Sequence, residues 1–344
     1  MKKLSFLDKL IVIVNSLLAI LLFISFLSYY ISPKNSSTLS FLGLSVPVLI
    51  IINLLFVIYW ILKLKRQFLI STVILLIGFQ YITKLYSFEE KKVLLSTDIK
   101  VMSYNVRMFN IYNWIDEKNV DQKIYDFINT KEPDILCLQE FNPTVKLGFK
   151  YPYNYIKTST KNKLFGHAIF SKYKIINSGS LNFSNSSNNA IYVDILKNKD
   201  TLRVYNVHLE SLSINPNEDY FNQENSEKLK NRVEKAFKKQ ANQTTLIIEH
   251  QKNTSHKSII CGDFNNNAFS WVYNKLKTAK NDAFEIAGKG FGKTYNYMFP
   301  MRIDFILVDK KIEINNFKTF DVNYSDHFPI MARLNFKSPT DLDQ

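Results

Sequence analysis

The first 90 residues of the chain are dominated by long apolar runs. Residues 10–32 and 41–62 contain no charged side chain, and each run is long enough to cross a bilayer core of roughly 30 Å as a helix. A third run, 68–83, is shorter and ends at Lys84, so it spans only if its ends snorkel or the bilayer thins locally. The pattern predicts a membrane anchor over residues 1–90 with two to three transmembrane helices, at about 10–32, 41–62 and 68–86.

Basic residues are distributed unevenly around these predicted helices. Lysines precede the first helix and basic residues crowd the loop at 63–66, whereas the loop between the first two helices contains Lys34 alone. Because cytoplasmic loops carry an excess of Lys and Arg, we expect the N-terminus and the 63–66 loop in the cytoplasm. Three spans then place residue 87 onward on the periplasmic side of the inner (cell) membrane, and two spans return it to the cytoplasm. A buried helical hairpin is the alternative without a membrane.

Beyond about residue 97 the pattern changes to short β-branched or aromatic runs separated by turn signals, with few helical stretches. This is α/β patterning, and many short strands favour packed sheets. One long amphipathic helix is predicted within 218–256, where Leu229, Val233, Phe237 and Ala241 recur at a spacing of four. The domain is expected over 97–338, with a tail at 339–344. The predicted strands are IKVMSYNV, DILCLQ, GHAIFS, IYVDIL, TLRVYNVHL, SIICGD, RIDFILV and FPIMARLNF.

Charge and cysteine content add little to this picture. The net charge of +14 is shared equally between residues 1–96 and 97–344, which suits a polyanionic substrate or an anionic membrane surface but more commonly means a solvated Lys-rich face. Cys137 and Cys261 lie in apolar runs, where a thiol usually packs as a small hydrophobe. We predict no disulfide between them.

Several oxygen-bearing side chains stand where predicted strands end. Phosphate ester hydrolysis needs a hard cation, an activated water and donors for the charge that builds on phosphorus. Short Asp and Asn side chains on rigid strand ends can hold such a cation. Taken alone, each residue could equally be a turn or a solvated strand end. The residues are Asn105, Glu140, Asp263, Asn265 and Asp326.

Two of the five histidines occupy the same kind of position. His208 ends the run YNVH, and His327 follows Asp326. Asp304, in RIDFILV, is expected to orient His327 from a neighbouring strand, and such a pair would activate water as a general base. A lone histidine after a strand is more often a surface or capped core residue, so the hypothesis depends on this pairing.

In this order, the runs SYNVR, LQE, GHAIFS, NVHLES, GDFN, RIDFIL and SDHFPI resemble the endonuclease/exonuclease/phosphatase superfamily. The chain is similar to a membrane-anchored, bacterial-type member with the deoxyribonuclease I-like fold. The resemblance implies N-terminal transmembrane helices followed by two packed β-sheets flanked by helices, a four-layer α/β sandwich.

The resemblance also implies a metal site and a substrate contact. Glu140 would be the central metal ligand, with Asn105 and Asp326 completing or adjoining the site. Oxygen ligands of this kind favour Mg²⁺, with Mn²⁺ or Ca²⁺ as alternatives. Arg107 stands where some nucleases of the superfamily have an acidic residue; it would contact the substrate phosphate or pair with a neighbouring carboxylate.

The remaining roles implied by the resemblance are catalytic. Asp263 would orient the attacking water, and Asn265 would hold a phosphate oxygen or that water. His208 would donate to the phosphoryl group in the transition state. His327, paired with Asp304, would complete the acid–base apparatus.

These expectations leave three classes of function open. The first is metal-dependent hydrolysis of a phosphodiester by an endonuclease/exonuclease-type enzyme held at the membrane, with nucleic acid as partner. The second is a phospholipid or sphingolipid phosphodiesterase or phosphatase that acts on lipid headgroups; FPMRIDFIL argues against the inositol-phosphatase subclass, which carries a Trp-Cys-Asp-Arg type motif there. The third, a non-catalytic binding module, is disfavoured because every expected catalytic side chain is present. The sequence indicates no protein partner.

Overall fold

The computed structural model describes residues 4–88, 90–159, 164–197, 200–214, 223–297 and 299–336. Its N-terminal part is helical, and the rest alternates strands and helices. The predicted tail at 339–344 lies outside the described residues. The helices are α1 (Phe6–Ser25), which continues into a 3-10 turn (Phe26–Tyr29), α2 (Ser37–Leu62), α3 (Phe68–Ile77), α4 (Phe79–Leu85), α5 (Val120–Lys131), α6 (Gln223–Lys252), α7 (Trp271–Lys277) and α8 (Ala283–Ala287).

Two helices in the N-terminal part are long and apolar enough to cross a membrane, Phe6–Tyr29 and Ser37–Leu62. The third predicted span is a bent pair, because α3 and α4 meet at an angle of 77°. The bend falls at Gly78, where an added Cβ would lie 2.3 Å from the Phe26 ring. Close approach of the first helix therefore requires glycine at this point.

A buried polar network joins the three apolar helices. The Asn15 amide donates to Ser71 Oγ at 2.6 Å, and Ser71 Oγ donates to Asn53 Oδ1 at 2.8 Å. Trp60 Nε1 donates to Asn15 Oδ1 at 3.0 Å. Such groups need partners within an apolar environment, so the network fixes how α1, α2 and α3 face one another.

The two ends of the helical part differ. At one end, Lys63 pairs with Asp8 at 2.5 Å, beside the basic 63–66 loop. At the other end, Tyr29 and Lys84 contact the α/β domain through their backbone carbonyls. The chain therefore passes three times between the two ends, and the α/β domain lies opposite the basic loop.

The described residues of the α/β domain form two six-stranded mixed sheets. In the order of pairing, the first sheet is β11-β12-β1-β2-β4-β3 and the second is β5-β6-β7-β8-β10-β9. The pairs β1/β2 and β7/β8 are parallel. The strands are β1 (Ile99–Asn105), β2 (Ile135–Phe141), β3 (Tyr153–Thr158), β4 (Gly166–Ser171), β5 (Lys174–Ser180), β6 (Ala190–Lys197), β7 (Asp200–His208), β8 (Lys257–Asp263), β9 (Lys280–Asp282), β10 (Asp304–Asp309), β11 (Glu313–Thr319) and β12 (Ile330–Asn335).

The sheets pack face to face and helices cover their outer faces. Cys137 and Cys261 are buried, free thiols in the core between the sheets. Ile124 of α5 packs outside the first sheet, and Ile247 of α6 and Val272 of α7 pack outside the second. This confirms the predicted sandwich of two sheets flanked by helices.

The N-terminal helices pack directly on the second sheet's outer layer. Because Pro47 has no backbone N–H, the Gly43 carbonyl one turn earlier in α2 lacks its helical donor, and Asn267 Nδ2 donates to it at 3.0 Å. Ser28 Oγ donates to the Phe269 carbonyl at 3.1 Å. The helical part and the α/β domain therefore share specific polar contacts as well as one apolar core.

Candidate active site

Strand direction brings the candidate residues to one edge of the sandwich. The carboxyl ends of the parallel strands β1 and β2 carry Asn105 and Glu140, and those of β7 and β8 carry His208 and Asp263. The antiparallel strand β10 begins at Asp304, which pairs in register with Asp263. The same backbone pattern that builds the sheets therefore collects these side chains.

Asp263 is the buried hub of the site. Its Oδ2 accepts hydrogen bonds from Asn105 Nδ2 and Asn265 Nδ2, each at 3.2 Å, and its Oδ1 accepts from the Asn265 backbone N–H at 2.7 Å. His208 Nε2 lies 3.4 Å from Asp263 Oδ2. Burial raises the pKa of Asp263 to about 7, although His327 opposes that rise. The carboxyl group is thus fixed in direction and faces both histidines.

The structure brings His327 and Asp304 together as the sequence predicts. His327 Nδ1 lies 2.9 Å from Asp304 Oδ2, and His327 Nε2 lies 3.6 Å from Asp263 Oδ2. Burial alone lowers the pKa of His327, but Asp304 and Asp263 outweigh it and raise this pKa to about 10. The ring is therefore positively charged near neutral pH.

The predicted metal ligands lie beside this pair. Asn105 Nδ2 donates to Glu140 Oε1 at 3.3 Å. Burial, together with the nearby negative charge of Asp326, raises the pKa of Glu140. A half-buried carboxylate whose charge is destabilised by a second carboxylate is an arrangement that a divalent cation stabilises. Glu140 and Asp326 are thus carboxylates that could hold a cation, whereas Asn105 directs its Nδ2 at Glu140 and its Oδ1 accepts from the Arg107 backbone N–H at 3.1 Å.

A second group of potential ligand atoms adjoins the first. One atom each from Asp263, Asp304 and His327 lie within 4.8 Å of one another, and all three residues are buried. Sequence reasoning gave these residues catalytic roles and no metal. Because His327 Nδ1 is hydrogen-bonded to Asp304, only Nε2 is available there to a cation.

Arg107 lies in an unusual turn at the rim of the site. Residues 107–110 all have positive φ, from 40° to 59°, a conformation that costs roughly 1–2 kcal/mol for each non-glycine residue. The turn places Arg107 Nε 3.4 Å from Asp326 Oδ2 and the guanidinium 4.6 Å from the Trp114 ring centre. Of the two contacts expected for Arg107, the structure shows the carboxylate pair; the phosphate contact stays a prediction.

Sequence reasoning missed two residues around the candidate site. Trp114 is 42% exposed, and the signal for it was a pair of aromatic residues in a polar stretch after β1. His167 in GHAIFS is buried, with its ring centre 5.8 Å from that of His208. Its sequence signal is a single histidine at the start of an otherwise apolar run.

The two-sheet sandwich with carboxylates, amides and histidines gathered at one strand edge defines a class of phosphoester hydrolases. A model described as Endonuclease/Exonuclease/phosphatase family matches residues 102–327, and the chain belongs to this family, whose members act on phosphoesters. A model described as a domain of unknown function matches residues 8–85. A comparison with curated proteins finds no match.

Solved structures share the fold at low sequence identity. The human Nocturnin catalytic domain with bound sulfate is 17% identical, with a TM-score of 0.55 over 74% of this chain and 98% of that one. D. rerio TDP2 complexed with single strand DNA product is 17% identical, with a TM-score of 0.52 over 70% of this chain and all of that one. A mannosyl-6-phosphatase of Bacteroides thetaiotaomicron is 18% identical, with a TM-score of 0.51 over 69% of this chain and all of that one. Similarity at this level shows the fold alone.

Proposed function

We propose that this chain is a divalent-metal-dependent phosphodiesterase that its N-terminal helices hold at a membrane. The observation that carries the proposal is the convergence of Asp263, His208 and the His327–Asp304 pair beside Glu140 at one strand edge. Glu140, Asn105 and Asp326 would hold Mg²⁺ or Mn²⁺. When bound, the cation polarises the phosphoryl oxygens and offsets the charge that builds on them.

The protein side chains supply the other functions: they orient the water and donate hydrogen bonds to the phosphoryl oxygens. Asp263, held by Asn105 and Asn265, orients the attacking water and takes its proton. The P–O bond opposite the water breaks, and the leaving alcohol oxygen takes a proton from solvent. His208 Nε2 donates to a phosphoryl oxygen, and Asp304 keeps the His327 ring in position to donate a second hydrogen bond. Fixed donors aimed at developing charge are the main source of rate enhancement in such reactions.

The arrangement of the helices supports a periplasmic position for the site. Three helical passes separate the basic 63–66 loop from the α/β domain, because Lys63 pairs with Asp8 at the far end and Tyr29 contacts the domain at the near end. By the positive-inside rule the basic end faces the cytoplasm. The third pass is the bent pair α3–α4 rather than a straight helix.

One observation favours a lipid headgroup over nucleic acid as the substrate. A cavity of about 200 Å³ lies between the anchor and two loops of the site. One of those loops also contacts the candidate site, since the Tyr295 ring centre lies 5.0 Å from that of His327. A mainly apolar cavity that joins membrane helices to an active site suits an acyl chain. Its apolar lining includes Leu44, Pro47, Val48, Leu85, Phe269, Phe291, Phe299 and Met301.

A paired assay tests this proposal with the full chain in detergent. We would compare headgroup release from mixed phosphatidylcholine and phosphatidylglycerol vesicles with plasmid nicking, each with Mg²⁺, with Mn²⁺ and with a chelator. Metal-dependent headgroup release that is lost in Asp263→Asn supports the lipid phosphodiesterase. Nicking lost in that variant, without headgroup release, supports the nuclease instead. Nicking retained in that variant identifies a contaminating nuclease.

A further inference from the structure

A second, polar pocket of about 260 Å³ opens beside the active site. Lys157 to Ser159 at the end of β3 form one wall, His167 of β4 forms the floor, and residues 182–189 form the other wall. The His208 backbone N–H donates to the Asn189 carbonyl at 2.9 Å. The pocket wall is therefore tied to the strand end that carries a catalytic candidate.

The floor of this pocket contains an unsatisfied polar atom. His167 is 2% exposed, and among the described residues its Nε2 has no hydrogen-bond partner. Burial lowers the pKa of His167 to about 4, so the ring is neutral at physiological pH. Buried polar atoms in folded proteins are nearly always hydrogen-bonded, so a polar ligand atom beside this ring would be stabilised there.

Residues 182–189, which form the second wall, are serine and asparagine except for Phe183, and hydrogen bonds hold this segment in place. Asn188 Nδ2 donates to the Leu209 carbonyl at 2.5 Å, and Asn189 Nδ2 donates to Ser180 Oγ at 2.7 Å. These contacts preorganise the short polar side chains around the pocket. Recognition by preorganised polar groups loses little entropy on binding.

The charge and ring content of the described lining residues argue against some classes of ligand. They include no carboxylate, so a cationic headgroup such as choline finds no counter-charge there. Their single aromatic residue, Phe183, is buried and offers no face on which a base could stack. A hydroxyl group both donates and accepts, so it can pair with the His167 ring in either tautomer.

We propose that this pocket binds the alcohol portion of the phosphodiester, and that this alcohol is a hydroxyl-rich polyol or sugar. The inference rests on the proposed function, since it assigns the substrate class of the same site. The hydroxyls of the ligand bond to His167 and to the 182–189 wall, and Lys157 adds donors at the rim. The phosphate is then held at the strand edge beside His208.

The test uses the full chain in detergent and three substrates: glycerophosphoinositol, glycerophosphocholine and bis-p-nitrophenyl phosphate. We expect a lower KM for the inositol diester than for the choline diester. His167→Ala should raise the KM for the inositol diester at least tenfold, a larger factor than its effect on the KM for bis-p-nitrophenyl phosphate. Lys157→Met tests the rim without disturbing the sheet core, and Lys310→Met, on an exposed turn elsewhere, is its control.

Equal losses on all three substrates, or an unchanged KM for the inositol diester in both His167→Ala and Lys157→Met, would overturn the pocket assignment. If the wild type cleaves none of the substrates, the proposed function fails on its own. Calorimetry with inositol 1-phosphate and inorganic phosphate then tests the pocket separately. Tighter binding of the inositol ester that His167→Ala abolishes supports the pocket, and equal affinities contradict it. Micellar phosphatidylinositol, compared with the soluble diester, distinguishes a lipid headgroup from a free polyol diester.

Discussion

Asn267 donates its side-chain amide to the Gly43 carbonyl at 3.0 Å and so links the loop after Asp263 to a helix of the anchor. Pro47 leaves the Gly43 carbonyl without its helical partner, because proline has no backbone N–H to donate. The N-terminal helices are therefore part of the folded protein and support a loop of the candidate site.

The first prediction concerns this link. Asn267→Ala should lower the free energy of unfolding in detergent by about 1–3 kcal/mol, because it leaves a buried carbonyl unpaired. Pro47→Ala restores the helical donor to Gly43, so the loss from Asn267→Ala should shrink in the double variant. Thermal unfolding of the four proteins measures this coupling. Additive effects of the two substitutions would contradict the link.

The second prediction follows from the same contacts. A chain that begins at residue 97 exposes apolar residues that the N-terminal helices cover, such as Phe269, whose ring centre lies 6.2 Å from that of Tyr81. We expect it to have a lower Tm and a lower kcat than the full chain, with the soluble substrate bis-p-nitrophenyl phosphate. Equal kcat and Tm in the two proteins would show that the anchor is a passive tether.

The third prediction concerns the pair of His327 and Asp304. Asp304→Asn should lower kcat by roughly 10²–10⁴-fold, because a neutral amide no longer stabilises the positive charge of the ring. Asp309→Asn, at the other end of β10, is the matched control and should stay within twofold of wild type. Circular dichroism checks that both variants fold. A kcat near the wild-type value in Asp304→Asn would remove this pair from the proposed chemistry.

The fourth prediction distinguishes the two groups of potential metal ligands. If the cation lies at Glu140 and Asp326, Glu140→Gln should raise the Mn²⁺ concentration for half-maximal activity roughly 10–100-fold, a typical effect of disturbing a metal site. Asp304→Asn should then leave that concentration near the wild-type value while it lowers kcat. The reverse pattern would place the cation at Asp263, Asp304 and His327.

The fifth prediction concerns Arg107 on its left-handed turn. If the guanidinium contacts the substrate phosphate, Arg107→Ala should raise KM about tenfold, the loss typical of one charge-assisted hydrogen bond. Trp114→Phe keeps an aromatic face beside the guanidinium and should have a much smaller effect. Steady-state kinetics on one diester measures both variants. An unchanged KM in Arg107→Ala would leave Arg107 as a partner of Asp326 alone.

The eight strands predicted from the sequence are all central strands. The four that were not predicted, β3, β5, β9 and β11, are the edges of the two sheets. Central strands are covered on both faces and show as apolar runs, whereas the residues of β5 are mostly exposed or half-buried and polar. Edge strands therefore leave little local signal, and their pairing depends on a neighbour that is distant in sequence.

The helical predictions were accurate where the signal is local. The long helix predicted within 218–256 occurs as Gln223–Lys252, and residues 218–222 lie outside the described part. The third apolar run gave no sign of its 77° bend, because the bend depends on contact between Gly78 and Phe26, two residues on different helices.

Within the site, the polar residues at the ends of predicted strands are the ones that converge, since parallel strands end at a common edge. This pattern could not predict Asn267, whose partner is created by a proline more than 200 residues earlier in the chain. Nor could it predict the left-handed turn at Arg107, because none of residues 107–110 is a glycine. Contacts between distant segments determine both features.

The central claim is that this strand edge is a metal-dependent phosphodiesterase site, and hydrolysis of bis-p-nitrophenyl phosphate and of its mono-ester by the full chain tests it most directly. Wild type and Asp263→Asn are compared with Mg²⁺, with Mn²⁺ and with a chelator. We predict diester cleavage that requires the metal and falls by roughly 10²–10³-fold or more in Asp263→Asn. Preference for the mono-ester, activity that survives the chelator, or equal rates in the two proteins would contradict the account.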